Sequence, residues 1–168
     1  HKYGANTARE DSTGSLWFTQ STENQNEERL FGALDKAIPD GALYRLPISE
    51  EGTLSKPELI VEDLYFANGF YIDEKRNKLY LSEMMKNRVL AFDLDISTGS
   101  LSNQTTLAIM PTPDNMELNS EGQLWVASPL SNQIYSIDPE NGESYVAVSY
   151  THLTLPTNSL VVVGVVGG

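Results

Sequence analysis

The sequence contains no cysteine, and only 11 of its 168 residues are lysine or arginine. The absence of cysteine excludes disulfides, thiolate metal sites and a cysteine nucleophile, which fits the cytosol without excluding a periplasm. The 23 acidic residues give a net charge of −12, so neither nucleic acid nor an anionic membrane surface is an expected partner. No apolar run approaches the roughly 20 residues that a membrane-spanning helix needs. The composition predicts a soluble, acidic domain.

Short apolar runs with a period of two residues, separated by turn residues, dominate the chain and predict an all-β fold. Trp17 and Trp125 are expected to pack between neighbouring sheets, because large aromatic side chains contribute most to such cores. The predicted strands are Leu16–Thr19, Ala42–Leu46, Leu59–Glu62, Gly69–Ile72, Lys78–Glu83, Arg88–Asp95, Thr106–Met110, Met116–Leu118, Leu124–Ser128 and Gln133–Asp138.

Three stretches of the chain repeat one pattern, in which two Asn or Asp residues five positions apart precede an apolar strand. The pairs are Asn6 and Asp11, Asn68 and Asp73, and Asp114 and Asn119. The four-strand spacing around each pair is typical of one blade of a β-propeller. Equivalent positions of a closed repeat converge on one axis, so the first members could together hold a hard cation by oxygen. The alternative is that they cap exposed turn backbone.

The first repeat is longer than the second by about 18 residues, and the excess lies in Thr22–Gly41. We predict a helical insertion there, with a helix over Asn26–Ala37. Its apolar face carries Phe31 and Leu34, which we place over the mouth of the channel. The alternative is a surface loop without a role, because loops tolerate insertion at little cost.

Four segments resemble the six-bladed propellers of the regucalcin/gluconolactonase (SMP-30/gluconolactonase/LRE-like) family. They are Tyr65–Gly69, Leu79–Glu83, Pro113–Met116 and Gly122–Ser128, and the resemblance covers nearly all of Tyr3–Val146. The same segments also resemble the related paraoxonase-like and strictosidine-synthase-like propellers. The expected fold is therefore an all-β, six-bladed β-propeller, of which about three blades are present.

The resemblance implies metal ligands at Asn68 and Asp114, and a metal or substrate contact at Asn6. In the paraoxonase-like branch, Asn115 would be a further ligand. It also implies that the family's metal-binding Glu, and any His base, would precede His1. The implied cofactor is a divalent ion, with Ca²⁺ favoured by neutral amide and carboxylate oxygens.

The expected activity is metal-dependent hydrolysis of a lactone or related ester in the central channel, with Asp114 also acting as a catalytic base. The alternatives are a strictosidine-synthase-like member without metal hydrolysis, or a propeller used only as a binding platform. Substrate-lining positions are predicted in loops at the channel mouth; they are Phe31, Met84, Met85, Pro129 and Leu130.

The end of the sequence is predicted to be foreign. Val148–Thr157 back-translates in one frame to a sequence that looks like the transposon end used in sequencing libraries. We therefore divide the chain into a partial propeller over residues 1–147 and a translated reagent over residues 148–168. The alternative is a natural last strand.

Overall fold

The structure is a computed structural model that describes residues 5–23, 36–49 and 51–149. Twelve strands in these ranges form three four-stranded antiparallel sheets, and within each sheet every strand pairs with its neighbours in sequence. The first sheet comprises β1 (Ala5–Glu10), β2 (Leu16–Gln20), β3 (Gly41–Leu46) and β4 (Glu58–Leu64). The second comprises β5 (Ala67–Asp73), β6 (Lys78–Glu83), β7 (Arg88–Asp95) and β8 (Ser100–Ile109). The third comprises β9 (Met116–Leu118), β10 (Leu124–Ser128), β11 (Gln133–Ile137) and β12 (Ser144–Ser149).

The sheets are stacked as successive blades of a β-propeller. The first strands of the three sheets are neighbours, because β5 contacts both β1 and β9. Alternation along β6 sends Leu79 into the core between the first and second blades, and its neighbour Tyr80 into the core between the second and third. The second blade is therefore buried on both faces at β6, where successive residues are apolar.

One predicted core tryptophan is buried and the other is not. Trp17 is fully buried between the first and second blades, as predicted. Trp125 holds the equivalent strand position, yet 48% of its surface is exposed. Trp17 and Tyr80 are covered by the blade that follows theirs, and within the described ranges no blade follows the third. The prediction for Trp125 is therefore wrong in this structure.

The strand predictions omitted two strands and placed the start of another six residues too late. Strands β1 and β12 were not predicted, and β8 begins at Ser100, six residues before the predicted Thr106. All three stretches are largely solvent-exposed, so an alternating apolar pattern is weak there. Strand β12 runs through Ser149, two residues into the segment predicted to be foreign; that assignment stays a prediction.

Turn geometry gives the second member of each repeated pair a structural role. The side chains of Asp11, Asp73 and Asn119 each accept hydrogen bonds from backbone N–H groups in the turn that follows. Such Asx turns fix the hairpin between the first two strands of a blade. Only the first members therefore need another explanation. In the part of the chain that is described, no helix is long and apolar enough to cross a membrane.

Candidate functional site

The first members of the three pairs lie at the same end of the blades. Asn6 and Asn68 are the second residues of β1 and β5, and Asp114 lies just before β9. The blades are joined at this point, because the Thr19 hydroxyl donates a 2.7 Å hydrogen bond to the backbone oxygen of Asn68. The fold thus places these three residues at the inner edge of their blades.

Within the described part of the chain, Asn68 is buried with one side-chain oxygen unpaired. Only 5% of its surface is exposed, and its Oδ1 has no hydrogen-bond partner among the described residues. The Asn68 amide nitrogen is 3.6 Å from the Met84 sulfur, and the Asn68 side chain lies close enough to the Asp114 carboxyl to act to lower its pKa. Leaving a buried amide oxygen unpaired costs about 1–3 kcal/mol. A cation beside Asn68 would satisfy that oxygen.

The Asp114 carboxylate is also incompletely stabilised by its surroundings. Burial raises the pKa of the Asp114 carboxyl, although hydrogen bonds from the Asn115 backbone and the Asn68 side chain oppose the shift. The net upward shift means that this environment compensates the carboxylate charge incompletely. A bound cation would supply the compensation.

A threonine links the two remaining predicted ligands. The Thr7 hydroxyl donates to Oδ1 of Asn115 at 2.8 Å and lies 3.4 Å from Oδ1 of Asn6. The Asn6 amide donates to the Ser21 hydroxyl at 2.8 Å. Asn6 and Asn115 are therefore neighbours, although both are solvent-exposed. Sequence reasoning missed Thr7, because its role depends on how the first and third blades are placed.

Gly69 allows the second and third blades to approach at this point. A Cβ atom at position 69 would lie 2.5 Å from Asn115 Cα and 2.6 Å from the Asp114 backbone oxygen. Both contacts involve backbone, so no side-chain rotation could relieve them. The glycine after Asn68 therefore lets the Asn68 and Asp114 strands come together.

The predicted mouth residues lie at the same end as the site, with differing exposure. Met84 is buried beside Asn68 and packs with Phe66 and the half-buried Met85. Pro129 and Leu130 form the equivalent 3-10 turn of the third blade, where Leu130 is 75% exposed. Residues 24–35 lie outside the described ranges. They include Phe31 and most of the helix predicted over residues 26–37. Substrate contact by any of these residues stays a prediction.

The donor set is poor in charge. Among the described residues, no group of three or more His, Cys, Asp and Glu side chains could hold a metal ion. The candidate set is therefore one carboxylate, Asp114, with the amide oxygens of Asn68 and its neighbours. This composition suits a hard cation and does not suit zinc, which prefers nitrogen and sulfur.

The fold and the site define a β-propeller with a polar, oxygen-rich cluster at one end of its inner strands. The chain belongs to the family described as the SMP-30/Gluconolactonase/LRE-like region, whose model matches residues 1–161. Regucalcin of Danio rerio is 34% identical over 114 residues, which cover 63% of this chain and 36% of that protein.

Two solved structures share the fold. A gluconolactonase from Xanthomonas campestris matches with a TM-score of 0.65 at 22% identity, covering 88% of this chain and 47% of that one. A regucalcin from Agrobacterium tumefaciens, described as a calcium-binding protein, matches with a TM-score of 0.62 at 18% identity, covering 82% and 42%. The chain thus spans less than half the length of these three relatives. The coverage agrees with three blades of a six-bladed ring.

Proposed function

We propose that the protein hydrolyses a lactone or related ester at a divalent cation, with Ca²⁺ favoured, held by Asn68 and Asp114 in the propeller channel. The observation that carries this proposal is the buried Asn68 Oδ1, which has no hydrogen-bond partner among the described residues. The Asn68 side chain also lies close enough to the Asp114 carboxyl to influence its pKa. Membership of a family that includes a gluconolactonase supports the choice of substrate class.

The residues present fit such an ion. Ca²⁺ binds carboxylate and amide oxygens and tolerates irregular geometry, so Asp114 and Asn68 would be its principal ligands here, with Asn115 and Asn6 nearby. When bound, the ion would polarise the ester carbonyl and acidify a water molecule.

Asp114 would have two roles, because a carboxylate has two oxygen atoms. One oxygen would hold the cation, and the other could accept a proton from a water molecule as a general base.

The test is lactone hydrolysis by the full-length protein with and without a chelator. Excess EDTA should reduce hydrolysis of a panel of sugar lactones to the uncatalysed rate, and added Ca²⁺ should restore it. EDTA already saturated with Ca²⁺ is the matched control and should have no effect.

Two results would count against the proposal, each in its own way. Full activity in EDTA would refute the metal mechanism while leaving hydrolysis in place. No hydrolysis of any lactone with Ca²⁺ present would instead favour a strictosidine-synthase-like member or a binding platform.

A further inference from the structure

The last residue of the second strand is polar and buried in every blade. These residues are Gln20 in β2, Glu83 in β6 and Ser128 in β10, and each is at most 2% exposed. A buried polar side chain at the end of a strand costs free energy unless it makes hydrogen bonds. Because a buried polar residue recurs at this position of the repeat, we expect it to have a specific hydrogen-bond partner.

In the second and third blades, that partner is the loop that leads to the proposed ligand. Oε1 of Glu83 accepts a 3.0 Å hydrogen bond from the backbone N–H of Tyr65, three residues before Asn68. The Ser128 hydroxyl donates a 2.6 Å hydrogen bond to the backbone oxygen of Pro111, three residues before Asp114. The two side chains differ in charge and length, yet each binds the backbone three residues before the proposed ligand.

The residue that follows each attachment point has an unusual backbone conformation. Phe66 and Thr112 have φ angles of 60° and 36°, and each stands two residues before the proposed ligand. A bulky or β-branched residue in this left-handed region costs on the order of 1–3 kcal/mol and persists only when its surroundings enforce it. Gly4, outside the described ranges, holds the same place before Asn6.

Further contacts hold each strained loop in place. In the second blade, Met84 N–H donates to the Phe66 backbone oxygen, and the Arg88 guanidinium pairs with Glu83. In the third blade, the side-chain oxygen of Asn87 accepts a 2.9 Å hydrogen bond from Thr112 N–H. Phe66 is thus held on both sides, whereas in the third blade both contacts hold the peptide unit between Pro111 and Thr112.

We infer that Glu83 and Ser128 are positioning residues that set the ligand oxygens of Asn68 and Asp114 by clamping the loops before them. This inference rests on the proposed function, because the oxygens need accurate placement only if they bind an ion. Neither residue touches the ion or the substrate. Their effect passes through the backbone, as expected for groups that orient ligands from outside the coordination sphere.

Two serines of the third blade provide a matched test. Ser128 and Ser136 are both fully buried, but the Ser136 hydroxyl has no hydrogen-bond partner among the described residues. In the full-length protein, Ser128→Ala should weaken Ca²⁺ binding about 10- to 100-fold by calorimetry, the usual cost of losing an outer-shell contact. Ser136→Ala removes the same hydroxyl and should leave the Kd for Ca²⁺ unchanged within the error of the measurement.

The second blade provides a test of its own that remains valid if Ser128→Ala does not fold. Glu83→Gln keeps an acceptor for Tyr65 N–H, whereas Glu83→Ala removes it. Glu83→Gln should bind Ca²⁺ more tightly than Glu83→Ala, because the loop contact is retained although the ion pair with Arg88 is lost.

The outcomes separate this inference from the proposed function. Equal Ca²⁺ affinity in Ser128→Ala and Ser136→Ala, or in the two Glu83 variants, would overturn the positioning role while leaving the metal site intact. A wild-type protein that binds no Ca²⁺ would refute the proposed Ca²⁺ site, and the positioning role with it.

Discussion

Asp114→Asn in the full-length protein should reduce lactone hydrolysis by about 100- to 10,000-fold, the range associated with loss of a general base. The substitution keeps the shape of the side chain and removes its charge. Ca²⁺ affinity should fall as well, because affinity in oxygen sites depends on the number of charged ligands and Asp114 is the carboxylate of this cluster. Initial rates at saturating Ca²⁺ and a calorimetric titration would measure the two effects separately.

The control for Asp114→Asn removes one unit of negative charge elsewhere in the same blade. Glu121 lies in the exposed turn before β10, so Glu121→Gln should leave both the rate of lactone hydrolysis and the Ca²⁺ affinity unchanged. If Asp114→Asn hydrolyses lactones at the wild-type rate with EDTA present, the metal mechanism is wrong. A metal-free reaction or a binding platform would then be the better account.

The largest expected loss of stability comes from Asp11→Ala. Asp11 is buried, and its Oδ2 accepts a 2.7 Å hydrogen bond from the Trp17 indole and lies 3.7 Å from Nε of the buried Arg45. Removing the carboxylate would strand a buried indole N–H and a buried guanidinium. Loss of one partner from a buried pair costs about 3–5 kcal/mol, and urea unfolding of the full-length protein would measure it.

Asp95 provides a matched control for Asp11. Its Oδ1 accepts hydrogen bonds from the backbone and hydroxyl of Ser97, in the same kind of turn as Asp11, but Asp95 is exposed. Asp95→Ala should therefore cost only about 1 kcal/mol, as for an ordinary cap. Equal losses for Asp11→Ala and Asp95→Ala would show that the buried contacts of Asp11 contribute nothing.

The contribution of Asp11 should also depend on pH. Burial acts to raise its pKa, but hydrogen bonds from Thr13, Trp17 and Ser15 outweigh burial, and the net pKa lies below its ordinary value of 3.8. A carboxyl whose pKa is lower in the folded state contributes stability above its unfolded pKa, and that contribution is lost as pH falls through the folded value. The difference in unfolding free energy between wild type and Asp11→Asn should therefore shrink below about pH 3.8.

The sequence predicted the blades well because the middle strands of the blades are apolar runs bounded by turn residues. Alternation in β6 and β10, the Asx turns and the repeat length are local signals, and the three sheets confirm them. Strand β1 is the first of its blade and β12 is the last of its blade. Both are largely exposed and carry no such signal, so pattern reasoning missed them. Trp125 was predicted to be buried and is half exposed, because burial of a sheet face depends on whether another blade covers it.

The candidate site was only partly predictable for a similar reason. Asn68 and Asp114 were found from their equal offset in the repeat and from the family resemblance. Thr7, Glu83 and Ser128 carry no sequence signal of their own, because their hydrogen bonds join segments that only the fold brings together. The orphaned oxygen of Asn68 was likewise invisible in the sequence, since burial and the lack of a partner are properties of the assembled blades.

The most direct test of the central claim is a crystal structure of the full-length protein grown with saturating Ca²⁺. The proposed site predicts one ion at roughly 2.3–2.6 Å from both Asn68 Oδ1 and an Asp114 carboxylate oxygen, the range of calcium–oxygen ligand distances. A structure in which Asn68 Oδ1 and Asp114 contact no ion under these conditions would contradict the claim.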